Sequence, residues 1–216
     1  LIRQKAQEIL RRLTTAYPDA AIQLKYANNL ELVIATILSA QCTDVQVNKV
    51  TQNLFKKYRS AADFLNVPLS ELENDIRTTG FYHNKAKNIQ GCCQGIIERF
   101  GGGIPQNIDD LTSLPGIGRK TANVVLGNAF GIPGMVVDTH VKRISRRLGL
   151  TQNTSPEKIE KDLCALLPAE QWTQTAHLFI FHGRQTCTAR NPACFRCVVA
   201  DLCEWNEKAK YLNAQK

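Results

Sequence analysis

The chain has 216 residues, 44% of them apolar and 21% charged, and its 27 lysines and arginines outnumber 19 aspartates and glutamates for a net charge of +8. That balance describes one large folded domain or two small ones and excludes disorder, collagen-like repeats and a coiled coil. Residues 30–40 contain Glu31, and residues 121–137 are broken by Gly127, Gly131, Pro133 and Gly134, so neither apolar run can span a bilayer and no membrane association is expected.

Helical periodicity runs through nearly the whole chain. Ile2, Ala6, Ile9, Leu10 and Leu13 recur at three and four and predict an amphipathic helix ending before Tyr17 and Pro18. Residues 30–40 are apolar on all sides, the pattern of a buried central helix. Helices are predicted over 45–58, 61–65 and, after Pro68, 70–78; a longer one over 84–100 is ended by three glycines at 101–103. Pro115, Gly116, Ile117 and Gly118 predict a tight turn between two helices, the second over 120–130. Asp138 is expected to cap a helix through Leu148, and Thr154 or Ser155 one ending at 166. A helix over 171–182 leads into a cysteine-rich loop. No run alternates as a strand would, so the fold class is all-α, with about ten to twelve helices.

The positive charge is spread over the fold: +2 in residues 1–20, +2 in 21–132 and +4 in 133–216. A polyanionic partner would therefore be held by a folded surface and not by a basic tail. The densest cluster is Lys142, Arg143, Arg146 and Arg147, spaced to share one side of a helix. No basic-then-apolar leader opens the chain, so secretion is not expected.

The eight cysteines fall into two groups. Cys42, Cys92, Cys93 and Cys164 lie scattered among apolar residues and are read as small buried hydrophobes in a reducing compartment. Cys187, Cys194, Cys197 and Cys203 follow the pattern Cys-x6-Cys-x2-Cys-x5-Cys, close enough for four sulfurs to converge on one centre. Spacing alone leaves an iron-sulfur cluster and zinc both open, with the cluster favoured because only Cys194 and Cys197 form the short knuckle usual in zinc sites.

The most informative segment runs from Leu111 to Leu126 and contains Leu-Pro-Gly-Ile-Gly followed by Arg119 and Lys120. Pro115 stops the first helix, Gly116 and Gly118 let the backbone turn sharply and approach a ligand, and Ile117 can plug the turn into the core. Backbone N–H groups at the start of the next helix, with the positive end of its dipole, make a site for a DNA phosphate. Lys120 lies in that helix's first turn, where the dipole disfavours an ammonium and burial would act in the same direction, so a neutral nucleophilic amine is expected. The simpler alternative is a lysine that binds phosphate. Asp138 is expected to cap the next helix, a role that also holds an ionised carboxylate in place to stabilise positive charge or relay a proton.

On these residues the chain resembles the endonuclease III family of DNA glycosylases with lyase activity, within the helix-hairpin-helix superfamily. The likeness rests on Leu-Pro-Gly-Ile-Gly-Arg-Lys120-Thr-Ala-Asn, on Val-Asp138-Thr-His-Val, on Leu38 to Asp44, on Gly80 to Ile89 and on the four-cysteine pattern. It implies a four-iron four-sulfur cluster at Cys187, Cys194, Cys197 and Cys203. It also implies a six-helix barrel-like domain over 22–132 and a cluster domain of 1–21 with 133–216, the DNA lying in the cleft between them. Damaged double-stranded DNA would be the partner of a monomer acting in the cytoplasm at the nucleoid. Lys120 and Asp138 would be catalytic, with Lys120 forming a Schiff base at C1′ of a flipped nucleotide before β-elimination.

For DNA contacts the resemblance implies Leu114, Gly116, Gly118 and Arg119 of the hairpin, Gln41 in the gap left by the flipped base and Phe81 as a wedge in the opposite strand. Relatives usually carry Leu at the Phe81 position, a departure that bears on opposite-base preference. The loop between Cys187 and Cys194 contacts phosphates in this family, and here Arg190 is its only charge. Arg143 on the basic helix is expected to compensate, while His140 is read equally well as a structural histidine. Within the superfamily, adenine-removing mismatch glycosylases generally lack a lysine at the Lys120 position. A non-catalytic hairpin module with a structural metal is the alternative outside enzymes.

Overall fold

The computed structural model describes residues 1–212, and every regular element among them is helical. The chain divides into two compact units, Gln23–Ile132 and a discontinuous one made of Leu1–Ile22 with Pro133–Lys216.

The continuous unit is organised around α2 (Asn29–Leu38), whose residues from Leu32 to Leu38 are all buried. Asn28 caps it by accepting from the Glu31 amide. Around it pack α3 (Asp44–Lys57), α6 (Tyr82–Phe100) and α8 (Arg119–Ala129). The short helices α4 (Ala61–Asn66) and α5 (Leu69–Ile76) lie on α6, and α7 (Ile108–Thr112) pairs with α8. Helix α4 holds its six residues through a capping box, Ser60 and Asp63 each satisfying the other's backbone amide. Helix α6 begins at Tyr82, earlier than periodicity predicts, because Gly80 and Phe81 both take left-handed backbone and turn the chain directly into it.

In the second unit α1 (Ile2–Ala16) buries Ala6, Ile9, Leu10 and Leu13, the stripe read from sequence. It packs on α10 (Pro156–Leu166) and α11 (Trp172–Gln185), and α11 packs on α9 (Thr139–Arg147). Ser155, and not Thr154, caps α10. After α11 the described residues form only tight turns, at Cys194–Arg196 and Asn206–Lys208, and the short α12 (Ala209–Leu212). Among the described residues no helix is long and apolar enough to cross a membrane.

Candidate active site and cluster loop

In the continuous unit, the hairpin between α7 and α8 is built as its residue types require. Gly116 has φ +78, and a Cβ there would lie 2.8 Å from Asn88 Cβ; Gly118, at φ −87, meets nothing within 4 Å. Ile117 is buried and its amide donates to the Leu114 carbonyl at 3.2 Å. Leu114 is buried too, so it acts from beneath the turn. Two glycines of α6 make room for it: a Cβ on Gly95 would lie 2.5 Å from Leu114 Cδ2, and one on Gly91 3.1 Å from Pro115 Cγ. Helix α8 starts at Gly118 without a side-chain cap, so no side chain competes with a phosphate at its positive end. Arg119 and Lys120, its first two residues, are exposed, and the burial expected of Lys120 is not observed.

Gln41 and Phe81 also stand on this unit, both exposed, Phe81 at 63%. Both adopt left-handed backbone, at φ +54 and +50, which is costly for residues with a side chain. Near them lies a residue that patterning does not single out. Lys85, in the second turn of α6, is buried, and its Nζ donates to the carbonyls of Leu38 and Thr79 at 2.8 Å each. Burial pulls its pKa down, partly opposed by Cys42.

In the discontinuous unit Asp138 caps α9, its Oδ1 accepting from the Val141 amide at 2.8 Å. Half-buried His140 lies 3.1 Å from an Arg143 nitrogen, and burial lowers its pKa against the pull of Asp138.

The basic quartet of α9 divides. Arg143 turns inward, and its guanidinium donates to the carbonyls of Cys187 and Gly183 at 3.0–3.1 Å. Arg147, one turn on, donates to Thr188 O at 2.9 Å and toward Cys187 Sγ at 3.3 Å, and stacks 3.8 Å from the centre of the Trp205 ring. Arg143, expected to contact phosphate, thus has its Nε and Nη2 engaged by the carbonyls of Cys187 and of Gly183 in α11, because the spacing that puts 143 and 147 on one face points that face at α11 and the cysteine loop. Arg146 remains exposed, as does Arg190, which sits beside left-handed Asn191.

Of the scattered cysteines, Cys92 and Cys93 are fully buried and burial pushes the Cys92 thiol up to about 12, while Cys42 and Cys164 are only partly covered. The other four share one cavity, walled also by Ile144, Leu148, His182 and Trp205. Buried His182, held neutral with its pKa lowered to about 4, lies 3.7 Å from Cys197 Sγ and is fixed from behind by Tyr17 Oη at 3.0 Å. Burial first, with neighbouring sulfurs adding to it, raises the thiols of Cys194, Cys197 and Cys203, so these three thiolates are stable together only around positive charge. A zinc ion would draw its ligands to about 2.3 Å from one point. Among the described residues no three His, Cys, Asp or Glu side chains are arranged to hold a single ion. Four sulfurs spaced around a common cavity fit a multi-atom iron-sulfur cluster.

A helix-hairpin-helix carrying a lysine on its second helix, in an all-helical chain with a four-cysteine loop, defines the class of base excision DNA repair proteins. The HhH-GPD superfamily base excision DNA repair profile matches residues 34–169, and the iron-sulfur binding domain of endonuclease III matches residues 187–203. The endonuclease III of Synechocystis sp. is 52% identical over 202 residues, 93% of this chain and 92% of its own. Two solved structures, a non-covalent endonuclease III–DNA complex and a trapped endonuclease III–DNA covalent intermediate, each match at TM-score 0.93 and 47% identity, covering 98% of this chain and 99% of theirs. The chain belongs to the endonuclease III family, DNA glycosylases with abasic-site lyase activity, and carries that family's iron-sulfur binding domain.

Proposed function

We propose that the protein removes oxidised pyrimidines from duplex DNA and nicks the abasic site left behind, with Lys120 as nucleophile and Asp138 as its electrostatic partner. One observation carries this reading: an exposed amine stands at the second position of the helix after a glycine hairpin, in a chain 47% identical to an endonuclease III trapped covalently on DNA.

Inside the stack C1′ is out of reach, so the damaged nucleotide must be extruded first. Gln41 fills the gap and Phe81 presses into the opposite strand; a phenyl ring stacks on a base where a leucine only packs against it. The hairpin amides and Arg119 hold a phosphate nearby and set the register without reading sequence. Lys120 Nζ, as the free amine, attacks C1′ while the glycosidic bond breaks, and the base leaves with the bonding pair and takes a proton from water. Asp138, held by its cap bond, stabilises the cationic sugar and receives the proton that Lys120 sheds. The opened sugar is then bound to Nζ as an iminium, loss of a C2′ proton expels the 3′ phosphate, and water releases Lys120.

Cys187, Cys194, Cys197 and Cys203 would hold the cluster, which supplies iron–thiolate bonds that close a loop poor in buried apolar residues. Such a protein works as a monomer in the reducing cytoplasm, at the nucleoid.

Borohydride reduction on a duplex carrying thymine glycol or dihydrouracil tests the mechanism. Wild type is expected to become covalently linked to DNA. Lys120→Ala is expected to give no adduct and to lose roughly a thousandfold or more in single-turnover excision. Failure of wild type to trap, or trapping by Lys120→Ala, overturns it.

A further inference from the structure

Among the described residues three non-glycine positions have positive φ, and the two in the continuous unit are Gln41 and Phe81. Such backbone persists only where the surroundings over-determine it. Gln41 comes three residues after Leu38, the last residue of α2, and Phe81 two residues after Thr79, the last of the tight turn Arg77–Thr79. The carbonyls of those two residues are the ones that Lys85 Nζ holds, at 2.8 Å each.

We infer that Lys85 is a positioning residue that pins the turns bearing Gln41 and Phe81 to one buried ammonium, so that both side chains meet the duplex at a fixed separation. Helix ends leave their last carbonyls without intrahelical donors, and an ammonium at the negative end of α2 meets that need and suits the dipole. Two carbonyls share the charge and no carboxylate pairs with Nζ in the described structure, so the geometry ties two pieces of main chain to each other. Thr79 is fixed further by its hydroxyl, which donates to the Ile76 carbonyl at 2.8 Å. The remaining bonds of the first turn are local: Ser39 Oγ donates to Thr36 O at 2.8 Å, and the Cys42 amide to Ser39 O at 3.1 Å. Lys85 thus joins the main chain of the two turns directly, beside an exposed side-chain bond from Gln46 Nε2 on α3 to Thr78 Oγ1 at 2.7 Å. Losing it frees their spacing while the hairpin and Lys120 keep their own support from α6 and α7.

The inference rests on the reading of Gln41 and Phe81 as the residues that enter the duplex, and the experiment separates the two. The holoprotein binds a duplex with 2-aminopurine opposite a tetrahydrofuran abasic analogue, whose fluorescence rises when the base is unstacked. Gln41→Ala and Phe81→Ala are measured first; an unchanged signal in both overturns the wedge reading and this inference with it. Once they lose signal, Lys85→Met is expected to lower the fluorescence rise and single-turnover excision on duplex by about tenfold. Borohydride trapping on an abasic site inside a three-base unpaired bubble, where no stack must be broken, is expected to stay within about twofold of wild type. Thermal melting checks folding. If Lys85→Met does not fold, Lys85→Gln, which can reach one carbonyl but not both, takes the same measurements with the same expectations. A folded variant with wild-type fluorescence and duplex excision overturns the role of Lys85. So does an equal loss on duplex and bubble, which marks general damage to the unit.

Discussion

Asp138 caps α9 through one oxygen, and the mechanism needs its negative charge, so two substitutions separate the tasks. Asparagine caps as well as aspartate, so Asp138→Asn is expected to keep stability within about 0.5 kcal/mol and to keep binding to damaged duplex, while losing most turnover. Asp138→Ala should lose turnover and also about 1 kcal/mol of stability. Melting curves, anisotropy and single-turnover assays on both variants decide this; equal loss of binding in Asp138→Asn would assign it capping alone. Asp138 was legible because an N-cap is a local event between neighbours in sequence. Lys85 and Arg143 were not. Whether a lysine is buried on two carbonyls 6 and 47 residues away depends on packing that no spacing rule reports.

At the scale of elements, the hairpin separates a glycine needed for the fold from one needed for approach. Gly116→Ala puts a Cβ against Asn88 in left-handed backbone and should cost about 1–3 kcal/mol, lowering the melting midpoint by several degrees. Gly118→Ala meets open space at ordinary φ, so stability should hold within about 0.5 kcal/mol while affinity for DNA falls, since the added methyl stands where a phosphate would approach. Helix α1 carries a pH dependence of its own. Hydrogen bonds from Arg11 and then Arg12 hold the Glu8 carboxyl at about 2, below the usual 4.5, and Arg12 also bridges to Asp201 near the last cluster cysteine. Because the folded pKa is depressed, the stabilisation is complete above 4.5 and is lost as pH falls toward 2. The difference in melting midpoint between wild type and Glu8→Gln should therefore shrink steadily through that window. A difference that stays constant with pH would show that the pair contributes nothing to folding.

Over the whole molecule, a net charge of +8 is small for a protein that works on a polyanion, and part of the basic helix's charge is engaged within the protein. Arg143 donates to the Gly183 and Cys187 carbonyls and Arg147 to the Thr188 carbonyl. Binding to undamaged duplex should accordingly show a shallow salt dependence, a log–log slope of about −4 or smaller in magnitude, equivalent to some four neutralised phosphates. Anisotropy titrations over a range of salt concentrations give that slope; a value near −8 would mean that many more cations face the DNA. The order of the main helices, the cap of α9, the hairpin and the cysteine pattern were determined by sequence alone, because each depends on residues within a turn or a short loop of one another; the start of α6 and the choice of Ser155 over Thr154 were not. Tertiary structure decided which cations are engaged internally, that Lys120 stands exposed, that four sulfurs line one cavity, and that one buried ammonium joins the turns of Gln41 and Phe81. These depend on which distant carbonyls and walls a side chain meets, and only the packed helices bring them within a few ångströms.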